Sequence, residues 1–140
     1  MARHNAFVDH LRQVTLFAAC SRKDLQTLAH RSEDRRVAAG STIVNESENG
    51  SEFFVILDGT ASVSRQGRKI ATLGPGSAFG ELALLVDAPR NATVVADTDM
   101  ELAVVGQREF EGLLDEAPGF ARKMLAGTAH RLREADREAV

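Results

Sequence analysis

The sequence predicts an α+β fold, in which a barrel or jelly roll of short strands is flanked by helices at both ends. Three observations carry this. Between Thr42 and Val105, short β-branched and aromatic runs alternate with Gly-, Asn-, Asp- and Pro-containing turns. Before and after that region, apolar residues recur at helical spacing. The length of 140 residues suits one domain built on one core.

The elements follow in order. Asn5 to Val14 places Phe7, Val8, Leu11 and Val14 on one helical face, and Leu16-Phe17 reads as an apolar plug before the next turn. Ser21 is a good N-cap, and Asp24 three residues later favours the helix dipole. Leu25, Leu28 and Ala29 give that helix a buried face, and it is expected to end near Arg31. Cys20 reads as a small hydrophobe beside Phe17. His4, His10 and His30 have no metal-ligand spacing and suit solvent-facing or capping positions. These N-terminal helices are assigned to about residues 1–36.

From Val37 the character changes. Thr42-Ile43-Val44 is a short β-branched run, followed by a polar turn from Asn45 to Ser51 that contains Gly50. Glu52 to Leu57 is a strand, Asp58-Gly59 a turn, and Thr60 to Ser64 a strand whose Ala61 and Val63 share one face. Gln66-Gly67 turns the chain into Lys69 to Leu73, and Gly74-Pro75-Gly76 breaks it. Thr93 to Ala96 and Met100 to Val105 are the last two strands, so the strand region occupies 37–106. Two C-terminal helices fill 107–138. Arg108 to Leu114 buries Phe110, Leu113 and Leu114; a second helix begins near Pro118 and aligns Phe120, Met124, Leu125 and Leu132. Gly127 sits inside this second helix at a cost of about 1 kcal/mol relative to Ala.

The stretch from Phe79 to Val94 organises the chain around a function. Gly80 permits a backbone turn and close approach of a ligand. Glu81 opens an apolar run, Leu82 to Val86, long enough for about one helical turn, whose first amides lack internal partners and can hold an anion. Arg90, after Pro89, carries a guanidinium that takes two phosphate oxygens at once. Glu81 beside an anion makes electrostatic sense where it accepts hydrogen bonds from a sugar hydroxyl. The pattern reads as a pocket for a phosphate joined to a sugar.

Phe79-Gly80-Glu81-Leu82-Ala83-Leu84 with Pro89-Arg90-Asn91-Ala92-Thr93 resembles the phosphate-binding cassette of the cyclic-nucleotide-binding domain family, with the Glu-to-Arg spacing intact. Phe53 to Gly59 and Leu73-Gly74-Pro75-Gly76 resemble the family's signatures ahead of the cassette, so the similarity covers nearly the whole chain. The resemblance implies a β-roll (a double-stranded β-helix, jelly-roll-like) with N-terminal helices and two C-terminal helices, and a single domain over 1–140 with its cassette at 79–94. It implies that Arg90 clamps the phosphate, that Glu81 binds ribose, and that Gly80, Leu82, Ala83, Asn91 and Ala92 line the phosphate. Asn91 departs from the small residue, Ser or Thr usual after the arginine; its amide still donates to phosphate. That departure leaves the base open between cAMP, which is favoured, and cGMP. Val63, Ala71 and Leu73 match positions that pack against the base, and core packing explains them equally well. Thr93 is divided evenly between a ligand role and a plain strand role. For a lid on the base, the chain has no Trp or Tyr, and Arg131 is the candidate ahead of Arg133 and His130, because a guanidinium plane stacks on a purine.

Composition bounds the alternatives. A formal net charge of −3 gives no basis for nucleic-acid binding by a bulk basic surface. A single cysteine and the absence of a long apolar run or signal-peptide core fit a cytoplasmic protein without a membrane span. No histidine lies between Ile43 and Val105, which argues against a metal-dependent jelly-roll enzyme, and no nucleophile–base arrangement is visible. The expected activity is therefore a non-catalytic cyclic-nucleotide sensor without a cofactor, which repositions its last helix and acts on a separate effector protein or domain. The start at Met1 favours a free-standing receptor, and the last helix offers a surface for a homodimer. The alternative is a protein–protein interaction module that keeps the fold without the ligand.

Overall fold

The computed structural model describes residues 2–14, 17, 19–80, 84, 89–116, 119, 121–123 and 125, with side chains from residue 7 onward except at 116. Two helices lead the chain: α1 (Ala2–Leu11) and α2 (Arg22–His30). The α2 N-terminus is a complete capping box, since Ser21 Oγ accepts the Asp24 N–H at 3.2 Å and Asp24 Oδ2 accepts the Ser21 N–H at 3.0 Å. Lys123 Nζ donates to the same Asp24 oxygen at 2.7 Å, tying the C-terminal segment to α2. Burial pushes the Asp24 carboxyl up, but the bonds from Lys123 and Ser21 outweigh it and hold the group below its ordinary value. Ser21→Ala is expected to cost about 1 kcal/mol of unfolding free energy in a urea titration, because an orphan amide loses its acceptor.

Among the described residues eight strands follow: β1 (Glu33–Val37), β2 (Thr42–Val44), β3 (Glu52–Asp58), β4 (Ala61–Arg65), β5 (Arg68–Leu73), β6 (Ala78–Phe79), β7 (Thr93–Ala96) and β8 (Met100–Gly106); α3 (Gln107–Glu116) comes after them. They form two antiparallel sheets, ordered β1-β8-β3-β6 and β2-β7-β4-β5. This is the β-roll that the resemblance implied. The turn between β4 and β5 has positive φ at both Gln66 (54°) and Gly67 (77°), a type I′ geometry whose twist matches that of the paired strands.

The roll is held by burial on both faces of its central strands. Phe54 and Ile56 of β3 and Leu102 and Val104 of β8 point into the space between the sheets, where they meet Ala61, Val94, Ala96 and Met100. Phe53 and Val55, with Ala103 and Val105, point the other way, onto Phe7, Leu11, Phe17, Leu25, Leu28, Phe110 and Leu113 of the helical layer. Burial on both faces explains why Phe53 to Ile56 reads as an unbroken apolar run rather than an alternating one. Cys20 is buried in this helical cluster, its N–H bonded to the Phe17 carbonyl at 3.0 Å, and burial pushes its thiol up to about 11.

The structure moves two boundaries. The helical section ends at His30, and the roll begins at Glu33 rather than at 37. Strand β1, Glu-Asp-Arg-Arg-Val, buries no side chain fully and carries no β signature. It is an edge strand that pairs with β8 and is charged along its length, which suits an exposed edge. At the other edge, β6 takes Phe79 into the sheet opposite Phe54, with the two rings stacked at a centroid distance of 4.9 Å. Among the residues expected in the second C-terminal helix, Pro118, Phe120, Met124 and Leu132 lie outside those described, and Leu125 is exposed.

Candidate anion site beside Arg90

Arg90 is placed by its backbone before its side chain. Its N–H donates to the Glu48 carbonyl and its carbonyl accepts the Ser47 N–H, both at 2.9 Å, and Pro89 bridges to Asn49. The segment ahead of β7 is thus zipped to the polar loop between β2 and β3. Further bonds continue this seam: the Glu46 N–H donates to Thr93 Oγ1 at 2.9 Å, and Arg65 Nε donates to the Asn91 carbonyl at 2.9 Å.

The Arg90 side chain runs back between two glycines. A Cβ at Gly50 or at Gly80 would collide with the guanidinium, so neither position has room for a side chain. Gly80 also has φ +83°, a conformation that other residues adopt only under strain. Arg90 Nη2 donates to the Glu52 carbonyl at 2.7 Å, and Cζ lies 5.8 Å from the centroid of the Phe54 ring. Among the described residues, no carboxylate pairs with this guanidinium. Burial pulls its pKa below the ordinary value, against the opposing influence of the Glu52 carboxylate. A half-buried cation whose side chain donates, among the described residues, to the Glu52 carbonyl and to no carboxylate is a site for an anion.

A cavity of about 230 Å³ opens beside it, lined by Ile43, Asn45, Asn49, Gly50, Phe54 and Arg90 among others. A larger open cleft of about 540 Å³ lies at the opposite end of β3, around Asp58, Asp99 and Glu101. Its only cation among the described residues, Arg36, is engaged with Glu101 at 3.4 Å, so the smaller cavity is the one with chemistry for a phosphate.

The structure brings together several of the residues singled out from sequence. Gly80 and Arg90 are in contact range, as described. Ala92 is buried beneath the segment, and Asn91 is exposed with its carbonyl held by Arg65. Val63 and Ala71 are direct partners across β4 and β5, and Ala61 pairs Leu73 on the same face. Val63 and Leu73 pack on the inter-sheet core, whereas Ala71 is exposed. Leu84 is buried in the helical cluster with Phe110 and Leu113 of α3. Glu81, Leu82, Ala83 and Arg131 lie outside the described residues, as do His130 and Arg133. Thr93 is engaged with the Glu46 amide, a structural use of its hydroxyl.

Sequence reasoning missed the contribution of the polar loop. Gly50, the Glu52 carbonyl and the Phe54 ring form the bed of Arg90. Gly50 carried a signal, as a glycine beside the strand entry; the carbonyl of Glu52 carried none, because a backbone acceptor is invisible in the side-chain pattern.

Known proteins share this fold. The family model described as "Cyclic nucleotide-binding domain" matches residues 34–117. The cAMP-dependent protein kinase regulatory subunit of Hypocrea atroviridis is 30% identical over 122 residues, covering 87% of this chain and 26% of the relative. That of Eremothecium gossypii is 37% identical over 107 residues, covering 76% and 23%. The chain therefore spans about a quarter of the length of these curated relatives. Among solved structures, the N-terminal domain of a transcriptional regulator from Streptomyces coelicolor A3(2) superposes with a TM-score of 0.85 at 29% identity, covering 92% of this chain and 96% of that one. The regulatory domain of Toxoplasma gondii PKA, co-crystallised with cAMP, gives a TM-score of 0.73 at 30% identity, covering 84% and 46%.

Proposed function

The chain belongs to the cyclic nucleotide-binding domain family, and on that premise we propose that it is a regulatory domain that binds one cyclic nucleotide, cAMP, at the Arg90 site. The observation that carries this reading is the Arg90 guanidinium, held between two glycines, partly desolvated and paired to no carboxylate among the described residues. In this reading the guanidinium takes two oxygens of the cyclic phosphate. Amides at Gly80, Leu82, Ala83 and Ala92 add neutral donors, and the Asn91 amide sits beside them. Glu81 accepts from the ribose hydroxyl. Val63, Ala71 and Leu73 face the base, and Arg131 stacks over it. The cAMP named in the Toxoplasma gondii complex is the reason to place cAMP ahead of cGMP.

The output in this reading is conformational. Leu84 lies within the cassette, five residues after Phe79, and packs in one cluster with Phe110 and Leu113, so a change in the cassette reaches α3 through contacts already made. A ligand shifts such an equilibrium only through its different affinity for the two states. The C-terminal helix and a separate effector, a protein kinase by analogy with the curated relatives' name, receive the shift. The whole of residues 1–140 acts as one domain in this account, non-catalytic, cytoplasmic and without a cofactor. The ligand-free interaction module would leave the Arg90 cation and its two glycines without a role.

Calorimetric titration with cAMP and cGMP tests the proposal. The expected result is saturable 1:1 binding, tighter for cAMP, with a rise in the unfolding temperature as the ligand stabilises the folded state. No heat and no thermal shift with either nucleotide would sink it.

A further inference from the structure

Glu52 faces two arginines with two different groups. Its backbone carbonyl accepts Arg90 Nη2 at 2.7 Å. Its carboxylate is taken by Arg35 in a two-point grip, Nη1 to Oε1 at 3.0 Å and Nη2 to Oε2 at 2.8 Å. Arg35 is itself steadied by Glu33, whose Oε1 accepts from Nε at 3.3 Å and from Nη2 at 3.1 Å. Arg35 thus reaches from the edge strand β1 to the first residue of β3, beside the cavity that Arg90 lines.

This arrangement resolves an electrostatic conflict. A carboxylate belongs to the very residue whose carbonyl touches the Arg90 guanidinium, and rotation about a few side-chain bonds would bring it to that cation. An ion pair there, partly out of water, would be stronger than one on open surface and would compete with any incoming anion. No group other than Arg35 holds the Glu52 carboxylate among the described residues. We propose that Arg35 is a positioning residue for anion binding: by gripping the Glu52 carboxylate it keeps Arg90 unpaired and open to an anionic ligand. The inference rests on the reading of Arg90 as the clamp for the ligand's phosphate.

The test separates this role from plain structural support. Arg35→Met is expected to weaken cAMP binding about tenfold, because the freed carboxylate now competes for Arg90. Adding Glu52→Gln to that variant removes the competitor and is expected to return the affinity to within about threefold of the parent. A role limited to support predicts the reverse, since the double variant lacks the ion pair just as the single does. A double variant as weak as Arg35→Met, or an Arg35→Met variant that binds like the parent, overturns the proposal. Should Arg35→Met fail to fold, Arg35→Gln carries the same pair of comparisons. Should the parent take up no nucleotide, the proposed function fails by itself. The inference is then read from the side-chain Nε resonance of Arg90 in ligand-free protein. It is expected to shift in Arg35→Met, with slower hydrogen exchange, and to return in the double variant; a shift that persists there overturns it.

Discussion

Arg90→Ala is expected to lower the affinity for cAMP by at least about a hundredfold while changing the unfolding free energy by less than about 1 kcal/mol. A hydrogen bond to a charged group contributes about 1.5–3 kcal/mol, and a guanidinium meeting a phosphate makes two of them. A loss of about 2.7 kcal/mol is already a hundredfold in affinity. The small effect on stability follows from two opposing changes. The variant loses the bond to the Glu52 carbonyl and the contact with the Phe54 ring. It also loses a charge that burial disfavours, as the lowered pKa of Arg90 shows. Arg90→Lys should recover only part of the affinity, because an ammonium keeps the charge but not the planar fork. Calorimetric titration paired with urea unfolding reads both quantities. Undiminished binding in Arg90→Ala would place the phosphate somewhere else on the protein.

Much of the roll could be read from the sequence, and the reasons differ from element to element. Strand β7 has the expected bounds, Thr93–Ala96, and β3 and β8 are each within a residue, because turn residues bracket strong β-formers. Strand β1 is illegible by the same rule. Its only apolar residue is Val37, and its pairing with β8 comes from tertiary context. Strand β6 is two residues long and pairs opposite Phe54, too short for any period to show. At the site, Gly80 and Arg90 stood out because their residue types are chemically specific. The bed of Arg90 did not, since it is built from a carbonyl, a ring already counted as core, and a glycine in a polar loop about 40 residues upstream. Sequence order hides such a site, and the antiparallel pairing that brings the loop after β2 against the segment before β7 creates it.

The two glycines beside Arg90 provide a second large effect, and they separate the site from the fold. Gly50 lies outside the left-handed region, and the three atoms nearest to a Cβ there all belong to the flexible Arg90 side chain. Gly50→Ala should therefore push the guanidinium out of its bed, weaken cAMP binding about tenfold to a hundredfold, and leave the unfolding free energy within about 1 kcal/mol of the parent. At Gly80 the same methyl group meets two further obstacles. The backbone is at φ +83°, and the Cβ would lie 2.9 Å from the Glu52 carbonyl oxygen, a backbone atom that cannot swing away. Strain of that kind costs about 1–3 kcal/mol, so Gly80→Ala is expected to lose that much stability as well as the binding. The pair is read by urea unfolding and by titration with cAMP. A Gly50→Ala variant that binds like the parent would mean that Arg90 reaches the phosphate from a different position, and the guanidinium's place between the glycines would then be a feature of the ligand-free protein alone.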